Sequence, residues 1–477
     1  MSGSAPRRLR VAMYVANDAS RDTRVLREAD ALADAGHDVV LVARLAAGVE
    51  LPHEEHRPSG ARLVRIQRDY GPEARWRSVQ QRAGYPWRAR RVIVRGWLRD
   101  LKTGPSGWPR AGAKAVATLL ALPWIAYRLL AYRLVGDRAP GMRRRGQLDY
   151  IMTWRRSVFP WATAAAGVAP DADVHHGHDV TGLVAAVVAA NGTPSLVVYD
   201  SHELYPESGR HARQGRLARR WLRSLERRLA RRAVALVTVN RTLEEILRRD
   251  LGFTRSVVVH NAPPRWTPPD PPPDLLRKRL GLPPEARVVL YHGGLAEVRG
   301  LRQLVEAVLR PGMDDVHLVF LGYGPLRDEL AARAADPGSW GRVHLLDAVP
   351  PDELAAWVAS ADVGVMPNQS VNANERLSTP NKLFESMAVG LPVVSSDFPE
   401  RRRVILEDPE GPLGAVCDPA NPEAIAAAIR SILDLSVAER AEMRARILRA
   451  AHDRWNWETE SARLVALYEE LAEERSS

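Results

Sequence analysis

The chain has 477 residues, a length that predicts two or three domains rather than a single core. An apolar fraction of 45% argues against global disorder, and the single cysteine, Cys417, excludes an internal disulfide framework and fits a reducing cytoplasm. The net charge of +11 is uneven, because residues 71–150 hold 17 Lys and Arg against 4 Asp and Glu and the remainder is close to neutral.

In chain order, short β-branched runs alternate with helical patterns, which predicts βαβ units in doubly wound α/β sheets. Runs such as LVVYD and LPVVSS are apolar on both faces, as expected of parallel strands covered by helices on each side. A first group of predicted strands comprises Leu9–Ala16, Asp38–Ala43, Arg62–Ile66, Val174–His176, Ser195–Tyr199, Ala235–Val239 and Val257–His260. A second group comprises Arg287–His292, Val316–Leu321, Val343–Leu346, Val363–Met366, Leu391–Ser395 and Gly414–Val416.

A proline-rich stretch separates the two groups of strands. Residues 262–274 read APPRWTPPDPPPD, and proline favours extended backbone without donors, so we predict a linker there. The predicted division is a Rossmann-like domain over 1–261, a second over 275–454, and a closing helix over 455–477. Two such domains leave a cleft at the carboxyl ends of their strands, where open α/β sheets bind ligands. The alternative is a proline-rich surface loop inside one large domain.

Residues 71–150 interrupt the first domain with a basic segment that contains five tryptophans. Its uncharged part, residues 115–127, is shorter than the roughly 20 residues needed to span a bilayer. Since Trp and Arg together suit the headgroup layer, we predict helices lying on an anionic membrane surface. The alternative is a helical insertion packed on its own domain with a solvated arginine face. A second basic run, 210–232, is predicted to be helical and to extend the same surface.

The strongest motif predicts a short helix from about residue 380 to 389. Thr379 suits its N-cap, Pro380 its first turn, and Gly390 the stop before the next strand. The free backbone N–H groups of such an N-terminus, with Lys382 in the first turn, form a natural diphosphate site. Glu385 lies about 9 Å along the axis, where its carboxylate can accept hydrogen bonds from a ribose diol. Taken alone, Glu385 is better explained as a solvent-facing helix residue, but beside this helix N-terminus the ribose contact is favoured.

This segment, Ser378–Val394, resembles the donor-binding helix of glycosyltransferase family 4, a large group of retaining enzymes with the GT-B fold. Further matches follow in the family's order. They are residues 22–28 for its first helix, 200–205 for its acceptor domain, 291–295 with Arg299 and Gly300 for the first nucleotide-domain turn, 321–326 for a second glycine turn, and 455–471 for the closing helix. Each motif is moderate alone, but their order and spacing make the set specific. The matches cover the chain except for 71–150.

The resemblance implies transfer of a sugar from a nucleotide diphosphate donor with retention at the anomeric carbon. It implies catalytic roles for His178, Arg299 and Lys382, with His178 positioning the sugar and the two cations stabilising the leaving phosphates. The implied donor-binding residues are Glu385, Thr379, Pro380, Asn381, Gly293, Gly294, Gly322, Tyr323 and Gly324. The implied acceptor-side residues are Asp22, Arg24, His202 and Glu203. No cofactor or metal is expected besides the sugar nucleotide as co-substrate, because the cations and the helix can neutralise the phosphates.

The sequence departs from the family at two donor contacts. The first of the family's two Glu residues, spaced by seven, falls on Leu377, and Glu375 is a candidate substitute in a different register. The family's Arg–Lys pair appears as Gly294 and Arg299, so one cation is lost while the arginine can still clamp phosphate bidentately.

Several polar residues also admit structural interpretations. Three histidines with an aspartate at 175–179 suggest zinc, but consecutive strand residues point to opposite faces, so no metal is predicted. His178 alternatively caps the following helix, and Asp179 is another candidate for that cap. The turn at 17–22 either caps the first helix or meets substrate. The turn at 322–324 is alternatively an ordinary strand-to-helix connection.

We therefore expect a glycosyltransferase of cell-surface polysaccharide or glycolipid synthesis, acting on a glycan or lipid-linked acceptor. No long apolar run opens the chain, so we expect no signal peptide but a cytoplasmic protein, peripheral at the inner membrane face through 71–150. The alternatives are a sugar-nucleotide epimerase of the same fold, which converts the donor without an acceptor, and a non-catalytic membrane-associated scaffold. Nucleic acid is not expected as a partner, because no recognised motif accompanies the arginine-rich segment.

Overall fold

A computed structural model describes residues 8–20, 22–46, 49–67, 150–269 and 271–475, with the isolated positions 109, 112, 116 and 147. Two α/β sheets, parallel apart from one edge strand, confirm the predicted fold class of two doubly wound domains. The predicted basic helical insertion at 71–150 lies almost entirely outside the described residues.

The first sheet has eight strands in the spatial order β3-β4-β2-β1-β5-β6-β7-β8. In chain order they are β1 (Arg10–Tyr14), β2 (Asp38–Leu45), β3 (Glu54–His56), β4 (Arg62–Gln67), β5 (Val174–His178), β6 (Leu196–Ser201), β7 (Ala235–Thr238) and β8 (Ser256–Val258). Its helices are α1 (Thr23–Asp34), α2 (Phe159–Ala166), α3 (Asp179–Ala189), α4 (Gly209–Ala212), α5 (Arg216–Ala230) and α6 (Arg241–Leu251). Strand β3, which the sequence did not predict, pairs antiparallel with β4 at the sheet edge.

The second sheet has six parallel strands in the order β11-β10-β9-β12-β13-β14. They are β9 (Arg287–His292), β10 (Val316–Leu321), β11 (Val343–Leu346), β12 (Val363–Met366), β13 (Val393–Ser396) and β14 (Gly414–Cys417). The helices around it are α7 (Leu275–Leu280), α8 (Leu301–Val308), α9 (Arg327–Ala335), α10 (Leu354–Ala359), α11 (Ala373–Leu377), α12 (Asn381–Ala388), α13 (Pro399–Leu406), α14 (Pro422–Leu433) and α15 (Val437–Asp453).

Each sheet is covered on both faces, which explains why its strands lack a polar face. Alternate residues of β1 enter opposite cores: Ala12 and Tyr14 pack with α3, while Val11 and Met13 pack with α1. Burial on both sides requires continuous apolar runs, as the sequence shows for most of the central strands.

A last helix, α16 (Trp457–Glu474), returns to the first domain. Its buried residues Leu464, Tyr468 and Leu471 join the core formed by α1 and β1. The peptide N–H of Trp457 donates to the carbonyl of Pro263, in a stretch at 259–269 that has no helix or strand. None of the helices described here combines the length and the apolar character that a membrane span requires.

Candidate active site

A cleft of about 500 Å³ opens between the two sheets. It lies where β6, β9 and β10 end, which is where parallel sheets place ligands. Residues from both domains line it: His202, Glu203, His292, Gly293, Gly294, Arg299, Leu321, Ala348, Val349, Leu354, Asn374, Glu375, Ser378, Thr379, Pro380, Asn381, Lys382 and Glu385. Ten of the sixteen residues assigned to a site from the sequence are therefore cleft residues.

Helix α12 points its N-terminus into this cleft, because Thr379, Pro380 and Asn381 all line it. The predicted N-cap was one residue early. Pro380 occupies that position, and the Thr379 hydroxyl instead accepts a hydrogen bond from the Asn240 side chain at 3.1 Å. The side chain of Pro380 cannot cap, so the first backbone N–H groups of α12 stay available to a ligand.

Lys382 and Arg299 supply positive charge beside this helix end. The Lys382 ammonium lies 3.7 Å from the centre of the Tyr291 ring, and Arg299 donates to Glu375 Oε2 at 3.4 Å. Burial, reinforced by Arg299 and Arg401, lowers the pKa of Lys382 well below its ordinary value, although Glu385 opposes the shift. Among the described residues Lys382 has no carboxylate at hydrogen-bonding distance, so a bound anion would favour its protonated form.

Arg401 is a cation that the sequence reasoning missed. It is fully buried at the start of α13, and it donates to the carbonyls of Ser378 and Glu375 at 3.4 Å. Burial lowers its pKa to about 9. Since those two carbonyls belong to the segment that leads into α12, Arg401 fixes the loop before that helix.

Glu385 lies one turn further along α12 and accepts a hydrogen bond from His292 at 3.0 Å. Burial alone would raise the pKa of Glu385, but the His292 bond and the nearby charges of Lys382 and Arg27 lower it. The carboxylate therefore stays ionised and one face of it remains exposed to the cleft. His292, at the end of β9, is a second residue that sequence reasoning did not assign.

The glycine turns after β9 and β10 pack directly on each other. A Cβ on Gly322 would lie 2.0 Å from the carbonyl oxygen of Gly293, and one on Gly324 would lie 2.4 Å from that of Leu295. Gly293 has a φ of 104°, which a side chain would strain. Tyr323, between Gly322 and Gly324, is 61% exposed. Gly294 is not packed in this way, because a Cβ there would meet nothing within 4 Å.

The predicted acceptor-side residues divide between the cleft and the layer below it. His202 and Glu203 line the cleft, and Glu203 accepts from Asn374 of the second domain at 3.2 Å. Asp22 caps α1 by accepting from the Val25 backbone, so the capping interpretation of that turn is the one observed. Arg24 is buried, and its guanidinium lies 2.9 Å from Glu28 Oε1.

His178 also lies in this lower layer. It is buried, and its Nδ1 lies 3.1 Å from Asp200 and 3.3 Å from the Nε2 of His202. Burial lowers the pKa of His178 to about 3, whereas Asp200 and Asp179 outweigh burial and raise that of His202 to about 10. The imidazole that reaches the cleft is therefore His202, and the predicted contact of His178 with a sugar stays a prediction.

Neither His178 nor Asp179 caps α3 with its side chain. His178 takes the N-cap position of α3 but makes no capping bond with its side chain. Asp179 is the first residue of the helix, with a φ of 53°, and its carboxylate accepts from the backbone of His202 at 3.2 Å. Asp179 thus holds His202 rather than capping its own helix.

Leu377, which stands where the family has its first glutamate, makes an apolar contact. Leu377 packs against the core of the first domain, so its side chain does not line the cleft. Glu375 does line the cleft and pairs with Arg299. A carboxylate is therefore present at this edge, two residues earlier than in the family pattern.

Comparison with known proteins follows the same two-domain division. A model described as Glycosyltransferase Family 4 matches residues 125–262, and one described as Glycosyl transferases group 1 matches residues 286–435. The GDP-mannose-dependent alpha-(1-6)-phosphatidylinositol monomannoside mannosyltransferase of Mycolicibacterium smegmatis is 29% identical over 47% of this chain and 60% of its own. The lipopolysaccharide core biosynthesis glycosyltransferase LpsE of Rhizobium meliloti is 37% identical over 33% of this chain and 42% of its own. The chain thus spans about half the length of the curated relatives it matches.

Solved structures match over nearly the whole chain. Sucrose-phosphate synthase from Thermosynechococcus elongatus superposes with a TM-score of 0.61 at 16% identity, covering 97% of this chain and 99% of that one. Anabaena Alr3699/HepE in complex with UDP and glucose superposes with a TM-score of 0.59 at 13% identity, covering 96% and 99%. At these identities the similarity shows a shared fold.

Proposed function

Because the chain belongs to glycosyltransferase family 4, we propose that it is a retaining enzyme that moves a sugar from a nucleoside diphosphate to a glycan or lipid-linked acceptor. The observation that carries this proposal is the cationic end of the cleft. There the N-terminus of α12 meets Lys382 and Arg299. Backbone N–H groups and two cations at one point suit a diphosphate that gains charge as it leaves.

The remaining donor contacts follow from the same cleft. Glu385, ionised and held by His292, is placed to accept hydrogen bonds from a ribose diol. The close packing of Gly293 on Gly322 leaves the turns free of side chains where a nucleoside has to approach the backbone. The Anabaena structure of the same fold is described in complex with UDP and glucose, which supports a nucleotide donor. The base and the sugar are left to experiment.

The proposed step breaks the bond between the anomeric carbon and the diphosphate oxygen. The acceptor hydroxyl oxygen bonds to that carbon on the face that the diphosphate leaves, which retains the configuration. The diphosphate departs with the electron pair, and the hydroxyl proton passes to one of its oxygens. Arg299, Lys382 and the N–H groups of α12 stabilise the charge that accumulates there, so no metal is needed for this step.

On the acceptor side we propose a substrate at an anionic membrane surface in polysaccharide or glycolipid synthesis. Helix α5 presents a groove lined by seven arginines, namely Arg216, Arg219, Arg220, Arg223, Arg227, Arg228 and Arg231. Two of them pair with Glu207, which closes a turn just after His202 and Glu203. The names of the two relatives refer to a phosphatidylinositol monomannoside and to lipopolysaccharide core biosynthesis. The arginine groove therefore suits lipid phosphates.

Vesicle flotation tests this surface. The full chain should float with vesicles that contain anionic lipid, and less with neutral ones. Gln substitutions at Arg220, Arg227 and Arg228 should weaken flotation, whereas Gln at the exposed Arg249 of α6 should not. Absent flotation contradicts a membrane role, and flotation that survives both the α5 substitutions and deletion of 71–150 contradicts a role for these two segments in it.

Donor use is tested with a panel of UDP-, GDP-, ADP- and TDP-sugars, by thermal stabilisation and release of nucleoside diphosphate. One nucleotide should stabilise the protein, and Glu385→Ala and Arg299→Ala should abolish release. Arg302→Ala is the matched control, because this nearby arginine pairs with Glu297 and Glu329 at the surface. The product's anomeric configuration, read by NMR, tests retention. Donor conversion without an acceptor would indicate the epimerase, and no stabilisation by any nucleotide would indicate the scaffold.

A further inference from the structure

Four buried side chains converge beneath the acceptor side of the cleft. Glu28 comes from α1, His176 and His178 from β5, and Asp200 from β6. Each residue offers one ligand atom, and these atoms all lie within 4.8 Å of one another. Neighbouring residues of a strand point to opposite faces, but His176 and His178 are alternate residues, so both point to the same face. His175, which precedes them, bonds Tyr14 on the other face.

The separations match the first shell of a small divalent ion. Nδ1 of His178 lies 3.1 Å from Asp200 Oδ2 and 3.8 Å from Glu28 Oε2, and Nε2 of His176 lies 3.7 Å from Asp200 Oδ2. Donor atoms about 2.1 Å from a tetrahedral ion are roughly 3.4 Å apart. The four side chains need only small shifts to meet one ion.

The surroundings orient these atoms as a second shell does. The Tyr468 hydroxyl holds Nδ1 of His176 at 2.8 Å, which directs the free Nε2 into the cluster. Arg24 lies 2.9 Å from Glu28 Oε1 and 3.3 Å from Asp200 Oδ1, the oxygens that the short contacts to the histidines do not use. Arg24 also lies 3.4 Å from Asp200 Oδ2, so it balances both carboxylates while Glu28 Oε2 and Asp200 Oδ2 face the histidines.

The cluster also has polar atoms without a hydrogen bond. Glu28 Oε2 and His176 Nε2 make none with any residue that the structure describes, although both side chains are fully buried, whereas Glu28 Oε1 pairs with Arg24. An unsatisfied buried carboxylate is costly unless a cation or a proton compensates it. Arg24 contributes one positive charge for the two carboxylates of Glu28 and Asp200, and His202 lies 3.1 Å from Asp200 Oδ2 on the cleft side of the cluster.

We propose that Glu28, His176, His178 and Asp200 bind one divalent transition-metal ion, with zinc as the ion that fits a closed set of two nitrogens and two oxygens. The ion is structural. It ties α1 to β5 and β6 and supports His202, which lies between the cluster and the cleft. It is separate from the diphosphate end and does not depend on the proposed transfer reaction.

The alternative occupant is a proton. Burial raises the pKa of Glu28 well above its ordinary value, and a proton on Glu28, with Arg24 paired to Asp200, would also neutralise the cluster. Metal analysis separates the two. The full chain, purified without a histidine tag, should contain one zinc per molecule by mass spectrometry after dialysis. Exchange for Co²⁺ should give visible d–d bands of a tetrahedral site.

Variants locate the ion. His176→Gln and Glu28→Gln should lose it, whereas His175→Gln, on the same buried strand but facing Tyr14, should keep it. Folding of each variant is followed by circular dichroism. If the first two variants fail to fold, the Co²⁺ bands of the wild-type protein, and their loss when a chelator is added, show whether the cluster binds an ion. Folded wild-type protein without metal and without Co²⁺ bands overturns the proposal. The proposal is also overturned if the ion is lost from His344→Asn instead, because that substitution breaks the His317–His344 pair of the second domain.

Discussion

Replacing Lys382 by methionine tests two effects of this side chain separately. One is its effect on the stability of the free protein, and the other is its effect on the affinity for a diphosphate. Methionine keeps the length of the side chain and its contact with the Tyr291 ring, but it removes the ammonium. In the free protein that group lies near Arg299 and Arg401, and burial together with these two charges lowers its pKa.

The two effects have opposite signs. Losing the cation–π contact costs about 0.5–2 kcal/mol, but relief of the buried charge offsets it, so the free energy of unfolding should stay level or rise by up to about 2 kcal/mol. With nucleotide bound, the variant lacks a charge-assisted hydrogen bond worth about 1.5–3 kcal/mol. The dissociation constant for the preferred nucleoside diphosphate should therefore rise by roughly 10- to 100-fold.

The assay is denaturant unfolding of the free protein beside calorimetric titration with the diphosphate. Lys278→Met is the control, because Lys278 is exposed on α7 and does not line the cleft. A Lys382→Met protein that is destabilised by more than about 2 kcal/mol and binds nucleotide as the wild type does would refute the reasoning. Lys382 would then be a structural cation.

Three further substitutions test other parts of the structure. Gly322→Ala should destabilise the protein by about 1–3 kcal/mol because its Cβ would meet the Gly293 carbonyl, while Gly294→Ala should leave unfolding unchanged. Burial raises the pKa of Glu226 to about 7, so the folded state binds this proton more tightly than the unfolded chain. Stability should therefore fall between pH 4.5 and 7 by up to about 3 kcal/mol relative to Glu226→Gln, and parallel pH profiles of unfolding would disprove it. Asn240→Ser should keep the cap of α6 but lose the bonds to Leu377 and Thr379, lowering turnover more than stability; equal losses in both would contradict a role in domain closure.

The strands could be predicted because their signal is local. Continuous apolar runs such as those of β6, β10 and β13 follow from burial on both faces, and the structure places each within a residue or two of its prediction. Strand β3 has the sequence Glu-Glu-His and owes its conformation to pairing with β4 at an exposed edge. Nothing in three polar residues predicts such a long-range pairing.

The site residues that lie on a single helix could be predicted from the sequence. Those that depend on contacts between different helices and strands could not. The order Thr379, Pro380, Lys382, Glu385 along one helix could be read from helical geometry. Whether His178 or His202 reaches the cleft depends on how far each side chain lies from the edge of the sheet once β5 and β6 have paired. Sequence spacing does not encode that distance. The same holds for Arg401, whose role arises from carbonyls that lie more than twenty residues earlier in the chain.

The donor end of the cleft is held in place partly by the domain opposite. Asn240, at the end of β7, donates to the carbonyl of Leu377 at 2.9 Å and to Thr379 at 3.1 Å, directly before α12 begins. Asn374 of the same segment bonds both Glu203 and the backbone of Leu204. The loop that leads into α12 is therefore held both by Arg401 of its own domain and by contacts from the domain opposite. For the proposed transfer reaction, closure of the two domains would form these opposite-domain contacts and exclude water, which favours transfer over hydrolysis of the donor.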